Sequence, residues 1–272
     1  MGHALLGQLG VVPKPAGAAL SGIAAQSAAT AIGVALLAGL ALLLLLLVAA
    51  AIRYRNPSNR HTLHSAMWFK VNELVCRVWY RWRRLGPCTV PRTGPVIITA
   101  NHTCAADPLF LCAGCTYRKV AFLIAREYAD FPVWRFFVQL IECIPVRRDG
   151  NDVAATKRAL RRLHEGGTMG IFIEGRIPPP GEIVSPKDGV ALLALRTGAT
   201  VIPAYISGTK YRHDIVAAFL AWHCVRVRFG KPVDLSDLRG RSGRHVVAAA
   251  TQRIAAAIRE LAPAMRVPTV RR

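Results

Sequence analysis

Apolar and polar residues are spaced along the chain in three ways, and each spacing predicts a different kind of element. Ala28 to Ile52 carries no charge and includes the run Leu42 to Leu47. A helix of that length measures about 37 Å, enough to cross a hydrocarbon layer of about 30 Å with some tilt. The first pattern therefore predicts a transmembrane helix over residues 28–52, behind an N-terminal segment 1–27. From Met67 to Arg84 the spacing changes: Trp68, Val71, Val75, Val78, Trp79 and Trp82 recur at three- and four-residue steps, and Lys70, Arg77, Arg81 and Arg84 form the other stripe. An amphipathic helix with Trp on its apolar face and cations opposite suits a lipid headgroup layer. The competing reading is a helix packed on the protein's own core.

From Val96 onward, short β-branched runs alternate with longer amphipathic ones, the mark of strands and helices around a mostly parallel sheet. Strands are predicted at Val96 to Ala100, Val120 to Ile124, Thr168 to Ile173, Thr200 to Ile206 and Cys224 to Phe229. Helices are predicted at Leu109 to Thr116, Val133 to Ile141, Asp152 to Glu165, Gly189 to Arg196 and Arg244 to Ala262. Pro178-Pro179-Pro180-Gly181 must be a loop. The expected fold is α/β: a mostly parallel central sheet flanked by helices in a domain over 91–272, preceded by the transmembrane helix and a basic amphipathic membrane-proximal region at 53–90.

Charge sharpens this division. The chain carries +21 yet is 53% hydrophobic, which excludes a disordered polyelectrolyte. Before Arg53 the only Lys or Arg is Lys14, so the excess belongs almost wholly to Arg53 and the residues beyond it. A cleavable signal peptide would place its cations ahead of the apolar run, whereas Arg53, Arg55 and Arg60 come after it. The same asymmetry predicts a single-pass membrane protein with its larger part on the cytoplasmic side. Seven cysteines, an odd number without framework spacing, fit a reducing compartment. Cys112-Ala-Gly-Cys115 reads as a pair of small helix-packing residues, since a zinc site needs further ligands.

Chemistry concentrates in Asn101-His102-Thr103-Cys104-Ala105-Ala106-Asp107-Pro108, directly after a predicted strand. His102 and Asp107, an H-x4-D pair, would lie about 140° apart on a continuous helix and can meet only across a loop. Pro108 supplies the break and makes Asp107 a predicted N-cap. A carboxylate beside a loop histidine fixes its tautomer and leaves the other nitrogen as a general base. The plainer alternative is a capping aspartate beside a hydrogen-bonded loop histidine. Cys104 adds a Cys/His nucleophile as a third possibility.

Three further segments complete a pattern: Ile144-Pro145-Val146-Arg147-Arg148, Phe172-Ile173-Glu174-Gly175-Arg176 and Val201-Ile202-Pro203-Ala204. Together with the His102 block, over Val96 to Lys231, they resemble the four ordered blocks of the glycerolipid acyltransferase family. The resemblance includes Lys187-Asp188-Gly189 and Phe229-Gly230-Lys231-Pro232. It implies a catalytic dyad of His102 and Asp107, acceptor binding by Arg148, Glu174, Gly175 and Arg176, and a substrate-wall role for Pro203. Two positions depart from the family pattern. Arg147 stands where an acidic residue is usual, and Ile173 replaces a proline in a third block shortened so that Arg176 follows Gly175 directly.

The implied reaction is transfer of an acyl chain from acyl-CoA or acyl carrier protein, as co-substrate, to the free hydroxyl of 1-acylglycerol 3-phosphate. Glu174 is expected to order the arginines rather than act as a second base. No metal or other cofactor is expected, and no nucleic-acid partner; an anionic membrane surface is. Other acceptors with the same chemistry, or a non-catalytic membrane-tethered lipid binder, are the competing expectations.

Overall fold

In the computed structural model of the protein, residues 32–46, 63–129, 135, 138–147, 152–179, 185–212, 214–222 and 224–262 are described. The chain divides into two compact units, Met1–Leu47 and Val48–Arg272. In the first, residues 32–46 are helical and almost wholly exposed. Among the described residues no helix is long and apolar enough to cross a membrane. The expected transmembrane helix is therefore not supported by the described residues, which cover only 32–46 of it. The remainder of 28–52 lies outside the described residues.

The second unit is built on a seven-stranded sheet in the order β1-β7-β6-β2-β5-β3-β4. The strands are β1 Arg83–Arg84, β2 Val96–Ala100, β3 Val120–Ala125, β4 Ile144–Val146, β5 Thr168–Phe172, β6 Thr200–Ser207 and β7 Arg226–Phe229. Every neighbouring pair is parallel except β6 with β7. All five residues of β2 are buried, as a central parallel strand covered on both faces requires. Alternation along the strands divides the core. Ile98, Ala100, Ile202 and Ala204 face one apolar cluster with Phe110 and Leu111, while Ile97 and Val201 face the other with Val190, Ala194 and Ile254. The α/β class and the mostly parallel sheet agree with the sequence pattern. The short strands β1 and β4 and the helix Ile215–Leu220 were not predicted as elements.

The predicted Met67–Arg84 helix runs instead over Leu63–Val78. Arg81, at φ +46, redirects the chain, so that Arg83 and Arg84 leave the helix and pair with β7. Its apolar stripe divides in two. Phe69, Cys76, Tyr80 and Trp82 enter the core with Trp68 packed against them, while Val71, Val75, Val78 and Trp79 stay exposed. The core reading therefore accounts for one face and leaves the other uncovered.

The helix Asp107–Gly114 locks onto this helix: the Asn72 side-chain amide donates to the Leu109 carbonyl at 2.9 Å. At the other end of the sheet the buried Arg118 guanidinium donates to the carbonyls of Pro91, Gly94 and Gly166, which fixes the turns leading into β2 and β5. These two fastenings set the position of the loop that leaves β2.

Candidate active site

β2 ends at Ala100, and the next residue holds the following loop in place. The Asn101 side chain donates to the Ile206 carbonyl at 2.9 Å and accepts from the Ile206 amide at 2.8 Å, a pair of bonds that continues the β2–β6 ladder after the backbone has turned away. His102 then projects from the C-terminal edge of the sheet, where the crevices of open parallel sheets lie. Its backbone amide donates to Glu174 Oε2 at 2.7 Å, and its ring stacks on Phe172 with centroids 3.8 Å apart and planes 9° from parallel. Phe172 in turn stacks on Phe122. Backbone and ring of the histidine are therefore held separately, by a carboxylate and by an aromatic wall.

His102 Nδ1 lies 2.9 Å from Asp107 Oδ2. The same oxygen accepts from the amides of Thr103, at 2.7 Å, and Cys104, at 2.9 Å. Asp107 is the first residue of its helix, after the N-cap Ala106, and Pro108 supplies the early-turn proline. The predicted N-cap role is corrected. The carboxylate folds back onto the two loop amides before the helix rather than onto the helix's own, and this curl brings it to the imidazole. Asp107 is fully buried, and its Oδ1 has no hydrogen-bond partner. A buried acceptor left so costs about 1–3 kcal/mol, a cost tolerated where a side chain has a task beyond packing.

The loop is also tied on its far side. Thr103 and Thr209 share a hydroxyl–hydroxyl bond, Cys104 bridges to Arg212 in parallel fashion, and the Ala105 amide donates to the Arg212 carbonyl at 3.0 Å. Cys104 itself is fully buried, and burial pushes its thiol up to about 11, which removes it as a nucleophile. Cys112 and Cys115 are buried free thiols, in keeping with packing residues. Among the described residues no three His, Cys, Asp or Glu side chains gather into a metal-binding group.

The third block forms a tight turn after β5. The Gly175 amide donates to the Phe172 carbonyl at 3.0 Å, and Gly175 takes φ +70, a conformation that other residues adopt only with strain. Glu174 orders the His102 amide. Burial raises its carboxyl above the ordinary value, with Asp107 adding to the rise, against the lowering effects of the His102 amide and ring. Gly175 and Arg176 are exposed beside it. Lys187 closes the turn from behind, its amide donating to the Ile173 carbonyl at 2.8 Å.

One described site residue, Pro203, is not brought to this cluster. Pro203 is buried in β6 with its ring against Gly230, where an added Cβ would come within 2.9 Å of it and within 3.3 Å of Leu261. It shares the strand face of Val201, opposite to the face of Ile202 and Ala204, so it packs under the C-terminal helix Arg244–Leu261. Arg148 lies outside the described residues. Sequence reasoning gave no role to Phe172 or to Asn101; an amide side chain directly before a loop histidine is the signal that could have found the second. Thr209 and Arg212 carried no local pattern at all.

A buried carboxylate thus orients a loop histidine at the C-terminal edge of a parallel sheet, an arrangement that leaves the second ring nitrogen available as a general base. Residues 84–207 match the model of the Acyltransferase family. It is similar to the 1-acyl-sn-glycerol-3-phosphate acyltransferase of Borreliella burgdorferi, with 28% identity over 128 residues, or 46% of this chain and 50% of that protein. The chain thus matches about half the length of that curated relative. In fold it resembles the crystal structure of the 1-acyl-sn-glycerophosphate (LPA) acyltransferase PlsC from Thermotoga maritima. That match has a TM-score of 0.57 and 21% identity, covering 75% of this chain and 83% of the other.

Proposed function

We propose that the protein transfers an acyl chain from a thioester donor, acyl-CoA or acyl carrier protein, to the free hydroxyl of 1-acylglycerol 3-phosphate, giving phosphatidate. The observation that carries this reading is the 2.9 Å contact between His102 Nδ1 and Asp107, which directs the imidazole's other nitrogen, Nε2, toward a substrate. Nε2 takes the hydroxyl proton as the acceptor oxygen attacks the thioester carbon, a role worth about 10² to 10⁴ in rate. The tetrahedral intermediate collapses with cleavage of the C–S bond, and the imidazolium returns the proton to the leaving thiolate. Asp107 stabilises the imidazolium during that interval.

Arg176, exposed two residues beyond Glu174, supplies a guanidinium for the acceptor phosphate, with Arg148 as its expected companion; charge-assisted bonds of this kind position the hydroxyl. The basic body suits both a phosphorylated acceptor and a phosphate-bearing donor. We also place the reaction at an anionic membrane surface on the cytoplasmic side, a reading supported by the cations from Arg53 onward and by the lipid nature of the acceptor.

The test is a panel of lysolipid and glycerol 3-phosphate acceptors crossed with labelled acyl-CoA and acyl-acyl carrier protein, using the purified full chain. Labelled phosphatidate from lysophosphatidate is the expected product. Faster transfer to another acceptor would reassign the substrate. Binding of lysophosphatidate without transfer from any donor would overturn the enzyme reading in favour of a lipid-binding module.

A further inference from the structure

The helix Ile215–Leu220 begins within three residues of Arg212, which is tied to the His102 loop, yet nothing in the proposed chemistry uses it. Its inward side is firmly held. Ala218 is fully buried, Asp214 caps the helix through the Ala217 amide at 2.6 Å, and the Phe219 carbonyl accepts from the Tyr80 hydroxyl at 2.8 Å. Its outward side is large and apolar: Val216 is 58% exposed, Leu220 69%, and Trp222, just past the helix end, 68%. A well-anchored helix that turns Val, Leu and Trp to the outside marks an interaction surface. Tyr80, its anchor, comes directly after the exposed Val71, Leu74, Val75, Val78 and Trp79 of the helix Leu63–Val78 and its end, so two uncovered apolar faces meet at the Tyr80–Phe219 bond.

Charge decides what such a surface accepts. The Val225 amide donates to the Tyr80 carbonyl at 3.2 Å and the Arg83 amide to the Val225 carbonyl at 2.9 Å, while Arg83 stands opposite Arg226 in register. Arg81, Arg83 and Arg226 therefore gather where the chain leaves Trp222. Among the described residues none of the three is joined to a carboxylate.

We propose that the ridge of Val216, Leu220 and Trp222, bordered by Arg81, Arg83 and Arg226, is a docking surface for an anionic phospholipid bilayer. Trp and Leu are the side chains that settle at the headgroup boundary, and arginines beside them meet lipid phosphates. A second copy of the chain is the other candidate occupant. Self-association through this patch would bring up a second ridge of Val216, Leu220 and Trp222 that offers the arginines no carboxylate, whereas lipid phosphates pair with them, so the charge selects the lipid. The ridge thereby faces the expected source of the acceptor. This deepens the proposed function, but its test reads bilayer contact rather than acyl transfer, so either can fail while the other stands.

The experiment uses the full chain with vesicles of phosphatidylcholine alone or mixed with phosphatidylglycerol, prepared with and without brominated acyl chains. Of the five tryptophans, the Trp222 signal is isolated by subtracting the spectrum of Trp222→Phe. With phosphatidylglycerol present, that signal is expected to shift to the blue and to lose more than half its intensity to the bromines. Replacing Arg81, Arg83 and Arg226 by Gln is expected to weaken partitioning to the anionic vesicles by about fivefold per arginine, without change in the melting temperature. Leu220→Ser should reduce the Trp222 quenching in the same vesicles. A Trp222 signal that stays unquenched in vesicle-bound protein overturns the proposal. So does a blue shift that grows with protein concentration in the absence of lipid, which would assign the ridge to a second copy.

Discussion

The loop that carries His102 and the turn that carries Arg176 stand side by side and are built in opposite ways. In the loop, every functional group has a fixed partner: Asn101 is clamped to Ile206, the His102 ring to Phe172 and Asp107, and Thr103 and Cys104 to the same buried carboxylate. In the turn, a left-handed glycine and an exposed arginine succeed one partly buried glutamate. The group proposed to move a proton is held by fixed partners before substrate arrives, as preorganised catalysis requires. The group proposed for the acceptor phosphate is exposed to solvent. Damage to the loop should therefore appear in kcat, and damage to the turn in KM.

The largest effect is expected at the base. His102→Ala should lower kcat by about 10² to 10⁴ while leaving lysophosphatidate binding within a few-fold of wild type. Single-turnover transfer and equilibrium binding measure the two separately. Unchanged turnover would dissolve the contrast between loop and turn.

Asp107 comes next and tests whether its two tasks can be parted. Asp107→Ala orphans the Thr103 and Cys104 amides and releases the imidazole, so both stability and kcat should fall, the former by about 1–3 kcal/mol for each amide left buried and unpaired. Asp107→Asn retains an acceptor for the amides and should recover much of the melting temperature. Its kcat should stay about 10²-fold or more below wild type, because a neutral amide does not stabilise an imidazolium. Recovery of activity together with stability in Asp107→Asn would make Asp107 a structural cap and nothing more.

How much of the fold and site is legible in the sequence depends on the range of the interactions. The strands Val96–Ala100 and Thr168–Phe172 were visible because buried parallel strands are written as local runs of β-branched and apolar residues. The His102–Asp107 meeting was visible because a proline at a known offset forces the break that lets the two side chains converge. Glu174 was assigned to the arginines because they are near it in sequence. The His102 amide, to which it is bonded, lies 72 residues away and becomes a neighbour only through the β2–β5 pairing. The position of Pro203 was hidden for a related reason: strand alternation places it on one face or the other, and only the register with β2 and the Gly230 contact show which. The exit of Arg83 and Arg84 from the helix into pairing with β7 goes with Arg81 taking a positive φ, which no residue pattern announced.

On the turn side, Arg176→Ala should raise KM for lysophosphatidate by about tenfold, the size expected for losing one charge-assisted bond of about 1.5–3 kcal/mol in a solvent-exposed setting, with kcat changed little. An acceptor lacking phosphate should show no such difference between wild type and variant. A loss confined to kcat would mean that the turn, too, belongs to the rigid machinery.

The smallest effect, and the sharpest probe of where loop and turn join, is expected for Glu174→Gln. Glutamine still offers an oxygen to the His102 amide, so kcat should fall by no more than about threefold, in line with the net worth of one hydrogen bond. Its pH signature is more informative. Burial raises the Glu174 carboxyl in the folded protein above the ordinary value of 4.5 that it keeps when unfolded. Between those two values the folded state holds the proton more tightly than the unfolded state, so this group's contribution to stability declines as pH rises through the window and stays lower above it. Glutamine has no proton to lose. The melting temperature of the wild type relative to Glu174→Gln should therefore be highest at acid pH, fall as pH climbs above 4.5, and level off once the folded carboxyl has ionised. A difference that rose with pH instead would mean that the His102 amide and ring outweigh burial and hold Glu174 ionised, placing a second negative charge beside the imidazole and giving the turn a direct share in stabilising the imidazolium.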